Sequence, residues 1–196
     1  MKRNIKILLD AAHGTNIAGK RSPDSSHIEY IWSRQMIKNI YPMLVTAGYE
    51  VIDLIPEAID PKDHLARIDK NTTQGRTLLI SFHNNAAGCG TWMNARGYSV
   101  WTSKGQTNSD KFANILFNKF RLRLPNIPFR TDMSDGDVDW EAGFNVLVRK
   151  PMAVLIEWLF QDNREDVKLL QNNEINNQFC NAVVEAINDF DNTYNT

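Results

Sequence analysis

The sequence predicts an α/β fold: a single domain over residues 1–196, with a largely parallel mixed β-sheet flanked by helices and its functional residues at the carboxyl ends of strands. Three observations lead there. Short apolar runs bounded by turn residues alternate with segments whose apolar residues recur at helical spacing. The 196 residues are 42% hydrophobic and contain no low-complexity tract, which suffices for one core and requires no linker. Two of the apolar runs, Ile5 to Leu9 and Leu78 to Phe82, lead to histidines, His13 and His83, at the strand ends where open α/β sheets bind ligands.

In chain order, Lys6 to Leu9 reads as the first strand and Asp10-Ala11-Ala12-His13-Gly14 as its turn. A polar loop from Thr15 to His27 follows. Trp32, Met36, Ile40 and Leu44 form an i, i+4 stripe, so a helix begins near Ile28 and ends at Gly48. Pro42 lies inside it and is expected to kink or split it, having no N–H and crowding the carbonyl four residues back. Tyr49 to Leu54 reads as a strand and Pro61 to Asn71 as a short helix. The strand ending at His83 is closed by Asn84-Asn85, Gly88 and Gly90, and Gly97 to Trp101 is the next. Ser109 or Asp110 caps a helix with Phe112, Ile115, Leu116 and Phe120 on its apolar face. Leu124 to Glu141 is a long excursion, and two closely spaced strands, Asn145 to Val148 and Ala153 to Ile156, precede Glu157. Asn163 opens a helix with Glu165 and Asp166 in its first turn, and Phe179, Val183, Ile187 and Phe190 mark the last one.

The formal charge of −1 argues against a nucleic-acid partner, which usually requires a basic excess or stripe. Cys89 and Cys180 are too few for a disulfide framework and read as free thiols. Met1-Lys2-Arg3 resembles the opening of a signal peptide, but the apolar run Ile5 to Leu9 is shorter than an export core and runs into Asp10. No apolar stretch approaches the roughly 20 residues needed to span a bilayer. The expectation is a monomer without stable membrane insertion, synthesised in the cytoplasm without a signal peptide.

The chemistry gathers at His13, His83 and Glu29, the last at the head of a helix. Two neutral imidazoles and one carboxylate with an open fourth position form a catalytic zinc site. Asp10 is placed to fix a ligand histidine through its other ring nitrogen. The spacing alone does not single out this set, because its members come from separate elements and turn histidines are commonly surface residues. His27 and Asp24 are rival ligands near Glu29, while His64 has no motif around it and reads as a surface residue. Asp132 to Glu141 lacks the calcium-loop pattern of Asp, Gly and final Glu and reads as a solvated loop. Lys119, Arg121, Arg123 and Arg130, interleaved with Phe120 and Phe129, read as a charged helix face. Cys89 has no partner in sequence for nucleophilic work.

Four motifs stand in order along nearly the whole chain. They are Asp10-Ala11-Ala12-His13-Gly14, Glu29 heading a helix, Ser81-Phe82-His83-Asn84-Asn85-Ala86, and Val154 to Phe160 with Asn163 and Asp166 after it. Together they resemble the type 3 family of zinc-dependent N-acetylmuramoyl-L-alanine amidases, in a form similar to phage and prophage members. The resemblance implies zinc (Zn2+) held by His13, Glu29 and His83, with Glu157 as the catalytic carboxylate. It also implies a substrate, peptidoglycan, cleaved between N-acetylmuramic acid and the L-alanine of the stem peptide. Such an enzyme reaches the wall through a membrane lesion or a secretion machine.

The sequence departs from the family pattern where Ala11-Ala12 replace proline or glycine, where Thr15 replaces glycine, and where Asn84 replaces a small apolar residue. Asn84 reads as a solvated loop residue, and Arg149 lies near a family arginine in a compressed run, its role open. Two other readings share the site: another zinc hydrolase, such as a sugar deacetylase or peptidase, and a peptidoglycan-binding module without turnover. A pure binder has no use for Glu157.

Overall fold

A computed structural model describes residues 3–15, 17–55 and 61–194. Among the described residues, six strands form one sheet in the order β2-β1-β3-β6-β4-β5. They are β1 (Lys6–Ala11), β2 (Glu50–Asp53), β3 (Thr77–Asn85), β4 (Ser99–Thr102), β5 (Trp140–Glu141) and β6 (Met152–Phe160). The helices are α1 (Glu29–Thr46), α2 (Pro61–Asn71), α3 (Asn108–Arg123), α4 (Arg164–Leu170) and α5 (Asn173–Thr193). Strands β2, β1, β3 and β6 run parallel, whereas β4 pairs with β6 antiparallel and carries β5 parallel to itself. The expected largely parallel, mixed sheet is therefore present.

Leu78, Leu79, Ile80 and Phe82 on β3 are all fully buried, because a central parallel strand is covered on both faces and needs no polar alternation. The crossover through α1 steps from β1 outward to β2, and the one through α2 steps back past β1 to β3. Right-handed crossovers in opposite directions put these two helices on opposite faces of the sheet. Helix α5 packs against both α1 and α3, and the phenyl rings of Phe120 and Phe179 stack at 5.2 Å beside Trp158.

Several boundaries differ from expectation. Strand β3 continues two residues past His83, and β6 runs to Phe160, three past Glu157. Polar residues break the apolar pattern at the carboxyl ends of β3 and β6, but the ladder is made by backbone groups and goes on. Residues 145–148 form a turn, not a strand: the carbonyl of Phe144 accepts the N–H groups of Leu147 and Val148, and only Leu147 is buried. Thr107, not Ser109 or Asp110, caps α3, with Asp110 as the reciprocal partner in a capping box. Helix α1 is a single element through Pro42. Pro42 and Lys38, whose carbonyl loses its helical donor, are both exposed, so water can take that bond. Among the described residues no helix is long and apolar enough to cross a membrane.

Candidate metal centre

Strands β1, β3 and β6 are adjacent and parallel, so their carboxyl ends lie along one edge of the sheet. His13 stands just beyond β1 in the left-handed region (φ 54°), which a non-glycine residue rarely adopts. Glu29 is the first residue of α1 and is buried, and His83 lies near the end of β3. The sheet and helix bring the three together. His13 Nε2 is 3.4 Å and His83 Nδ1 3.1 Å from the same oxygen, Glu29 Oε1, and the two imidazole rings meet edge to face at 4.9 Å. One donor atom from each residue lies within 4.8 Å of the others, a cluster able to hold a metal ion.

Glu29 is fixed from behind. Its Oε1 accepts the backbone N–H of Asn84 at 3.0 Å, and its Oε2 accepts Gln161 Nε2 at 3.0 Å. Burial alone would raise its pKa, but hydrogen bonds from His13 and His83 and their charge outweigh it and hold the group well below the carboxylate range. Burial alone would lower His83, but its hydrogen bond to Glu29 and the charges of Glu157 and Glu29 raise it.

Glu157 is the cross-strand partner of His83, so both side chains rise on one side of the sheet. Its Oε2 is buried with no hydrogen-bond partner among the described residues. Burial, aided by the charge of Glu29 and opposed by His83 and Lys20, pushes its pKa up to about 7. Just beyond it β6 bulges: Trp158 and Leu159 together oppose Asn84, and Leu159 takes a φ of 61°. All four residues line an open cleft of about 510 Å³, with Phe144 and Val146 on an apolar wall.

Residues outside this set have other partners. Asp10 serves neither His13 nor His83; its Oδ1 lies 2.5 Å from His64 Nε2 and its Oδ2 accepts the Ser81 hydroxyl at 2.5 Å. His64 thus lines the cleft as Asp10's partner and is not a free surface residue. His27 and Asn84 are both buried and bond each other, Nε2 to Oδ1, at 2.8 Å. Asn84 is therefore a core ligand of His27 and of the Trp158 carbonyl, not a solvated loop residue. Asp24 accepts from Ser22 and Ser26 and stands outside the cluster. Arg149 pairs with Asp69 on α2 at 3.1 Å. Lys119 and Arg123 pair with Asp189 and Glu185 on α5, as a charged helix face should. Cys89 is exposed, and the Cys180 thiol is buried with its pKa up to about 12.

Sequence reasoning also missed Gln161, whose signal is the apolar run Trp158-Leu159-Phe160 that carries β6 past Glu157 and back toward Glu29. Asp162 and Asp166 pin the neighbouring loop: Asp162 Oδ2 accepts the N–H groups of Ala87 and Gly88, and Asp166 bonds Arg96 and the N–H of Gly97.

Residues 7–189 match the N-acetylmuramoyl-L-alanine amidase family. In fold, the chain is similar to the N-acetylmuramoyl-L-alanine amidase of Clostridium difficile 630, with a TM-score of 0.80 and 21% identity over 98% of this chain and 99% of that one. It is also similar to the catalytic domain of CwlV from Bacillus (Paenibacillus) polymyxa var. colistinus, with a TM-score of 0.79 and 18% identity over 97% and 98% of the two chains. The catalytic domain of the CD27L endolysin, which targets Clostridia difficile, matches with a TM-score of 0.65 and 17% identity over 94% and 97%. No curated protein matches the chain in sequence.

Proposed function

The chain belongs to the N-acetylmuramoyl-L-alanine amidase family and is a metal-dependent hydrolase, and from this we propose the reaction, the metal and the residues that serve them. The substrate is peptidoglycan, and the bond cut is the amide between the lactyl group of N-acetylmuramic acid and the stem L-alanine. The observation that carries the reading is the convergence of His13 and His83 on Glu29 Oε1 at 3.4 and 3.1 Å, with Glu157 across the strand from His83. Tetrahedral zinc with bonds of about 2.0–2.1 Å spaces its ligands about 3.3 Å apart. The observed separations fit such a coordination edge, and two nitrogens with one oxygen fit zinc's donor preference.

Bound zinc supplies Lewis acidity, polarising the scissile carbonyl and bringing a water's pKa from about 16 to about 7. The remaining work belongs to the chain. His13, Glu29 and His83 hold the ion, and Asn84 and Gln161 keep the Glu29 carboxylate aimed. Glu157 takes a proton from the attacking water and returns it to the leaving amine of L-alanine. Burial raises the Glu157 pKa in the zinc-free protein, and a zinc ion beside it would pull in the opposite direction, favouring the carboxylate that accepts the proton.

Incubating the zinc-loaded protein with purified peptidoglycan tests this directly. New L-alanine amino termini are expected; released acetate would mark a deacetylase, other new amino termini a peptidase, and binding without products a non-catalytic module.

A further inference from the structure

A second cluster of ionisable groups lies away from the histidines. Asp110, in the first turn of α3, meets Asp137 and Asp139 from the segment before β5, with one oxygen of each carboxylate within 4.8 Å of the others. The three are 3%, 9% and 1% exposed, so the cluster is not the solvated loop its sequence implies. Protein donors account for some of the oxygens. Thr102 Oγ1 reaches Asp110 Oδ1 at 3.0 Å and Asp139 Oδ2 at 2.5 Å, Gln106 Nε2 donates to Asp137 Oδ2 at 2.7 Å, and the Thr107 N–H donates to Asp110 Oδ2. Two oxygens are left over. Asp137 Oδ1 and Asp139 Oδ1 are both buried without a hydrogen-bond partner among the described residues.

A buried carboxylate oxygen facing other carboxylates is costly unless something positive meets it. Burial, opposed by the Thr102 hydroxyl and aided by a hydrogen bond with Asp137 and the charges of Asp137 and Asp110, pushes Asp139 up to about 7, and no basic side chain is among the groups acting on it. An all-oxygen set with up to three negative charges suits a hard divalent cation and offers none of the nitrogen or sulfur donors that zinc prefers. Calcium tolerates irregular carboxylate geometry, whereas magnesium demands a near-ideal octahedron and keeps its waters.

We propose that Asp110, Asp137 and Asp139 form a calcium-class cation site, separate from the histidine centre, that fastens the segment before β5 to the first turn of α3. The site bears on the cleft through the next residues along the chain. Trp140 packs on Trp101 at 5.4 Å, and Phe144, which packs on the same ring at 5.5 Å, lines the cleft. Cation occupancy therefore steadies one wall of the cleft from outside it.

The test is thermal unfolding of zinc-loaded protein during titration with calcium chloride in calcium-depleted buffer. The parent is expected to gain about 5–10 °C at a hundred times the dissociation constant. Asp139→Asn and Asp137→Asn should lose that gain, while His83→Ala, compared without zinc, should keep it. In calcium-free buffer Asp139→Asn should melt at or above the parent, since it removes a repelled buried charge, which separates lost binding from lost folding. A parent that does not respond by about 10 mM calcium would mean that the aspartates share a proton and hold no cation. A full response in Asp139→Asn, or its loss in His83→Ala, would place the ion elsewhere; any of these three results overturns the proposal.

Discussion

Glu29 and Glu157 flank the same histidine and are both drawn upward by burial, yet their pKa values move in opposite directions. Glu29 collects enough donors to stay ionised, whereas Glu157 has a buried oxygen with none and rises from an ordinary 4.5 to about 7. For a group whose folded pKa is raised, the stabilising contribution is full below its unfolded pKa and is lost as pH climbs through the folded one. The zinc-free protein should therefore be penalised by ionised Glu157 above about pH 7. Zinc-free Glu157→Gln should exceed the parent in urea stability by about 1–3 kcal/mol at pH 8, the gap closing toward pH 4.5. No gain at pH 8 would show that the carboxylate finds a partner in solution. The ligand residues behave differently: His13→Ala, His83→Ala and Glu29→Ala should each lose zinc, measured as metal per chain. His27→Ala should keep its zinc while costing about 1–3 kcal/mol, because it strands the Asn84 side chain in the interior. Zinc loss in His27→Ala would return that histidine to the list of ligands.

At the scale of elements, the apolar stripes were legible because each strand and helix buries one continuous face, and the four motifs sit where strands end and α1 begins. What the sequence hid was pairing at a distance. The His27–Asn84 and His64–Asp10 contacts join side chains more than fifty residues apart, so neither histidine carries a local signature. The aspartate cluster is obscured for the same reason, since Asp110 joins Asp137 and Asp139 only when α3 packs beside β4, the strand that pairs with β5. Strand ends were placed too early because the functional edge is polar while its backbone ladder continues, as β6 does through Glu157 to Phe160. Pro42 does not split α1, because its cost depends on where the freed carbonyl points, and here that is solvent. It still removes a helical hydrogen bond. Pro42→Ala should raise stability by about 1–3 kcal/mol, read as a melting temperature about 2–10 °C higher. A lower melting temperature would mean that α1 is shaped around the proline.

Across the whole molecule, the core and the site are built separately. The buried cluster spans both sheet faces and the α1–α5–α3 layer, while the proposed metal ligands occupy one rim. Removing zinc should therefore abolish activity and lower the melting temperature, yet leave the far-ultraviolet circular dichroism unchanged; adding zinc should restore both. Global unfolding on chelation would contradict that separation. The central claim is that three residues hold the metal and a fourth moves the proton. It is tested most directly by the rate at which zinc-loaded Glu157→Gln frees L-alanine amino termini from peptidoglycan. Glutamine keeps the shape and hydrogen-bonding reach but cannot accept the proton, so the rate should fall at least about a hundredfold with zinc still near one per chain. Cleavage at the parental rate would put the base elsewhere, and a variant that could not be loaded with zinc would make Glu157 a ligand.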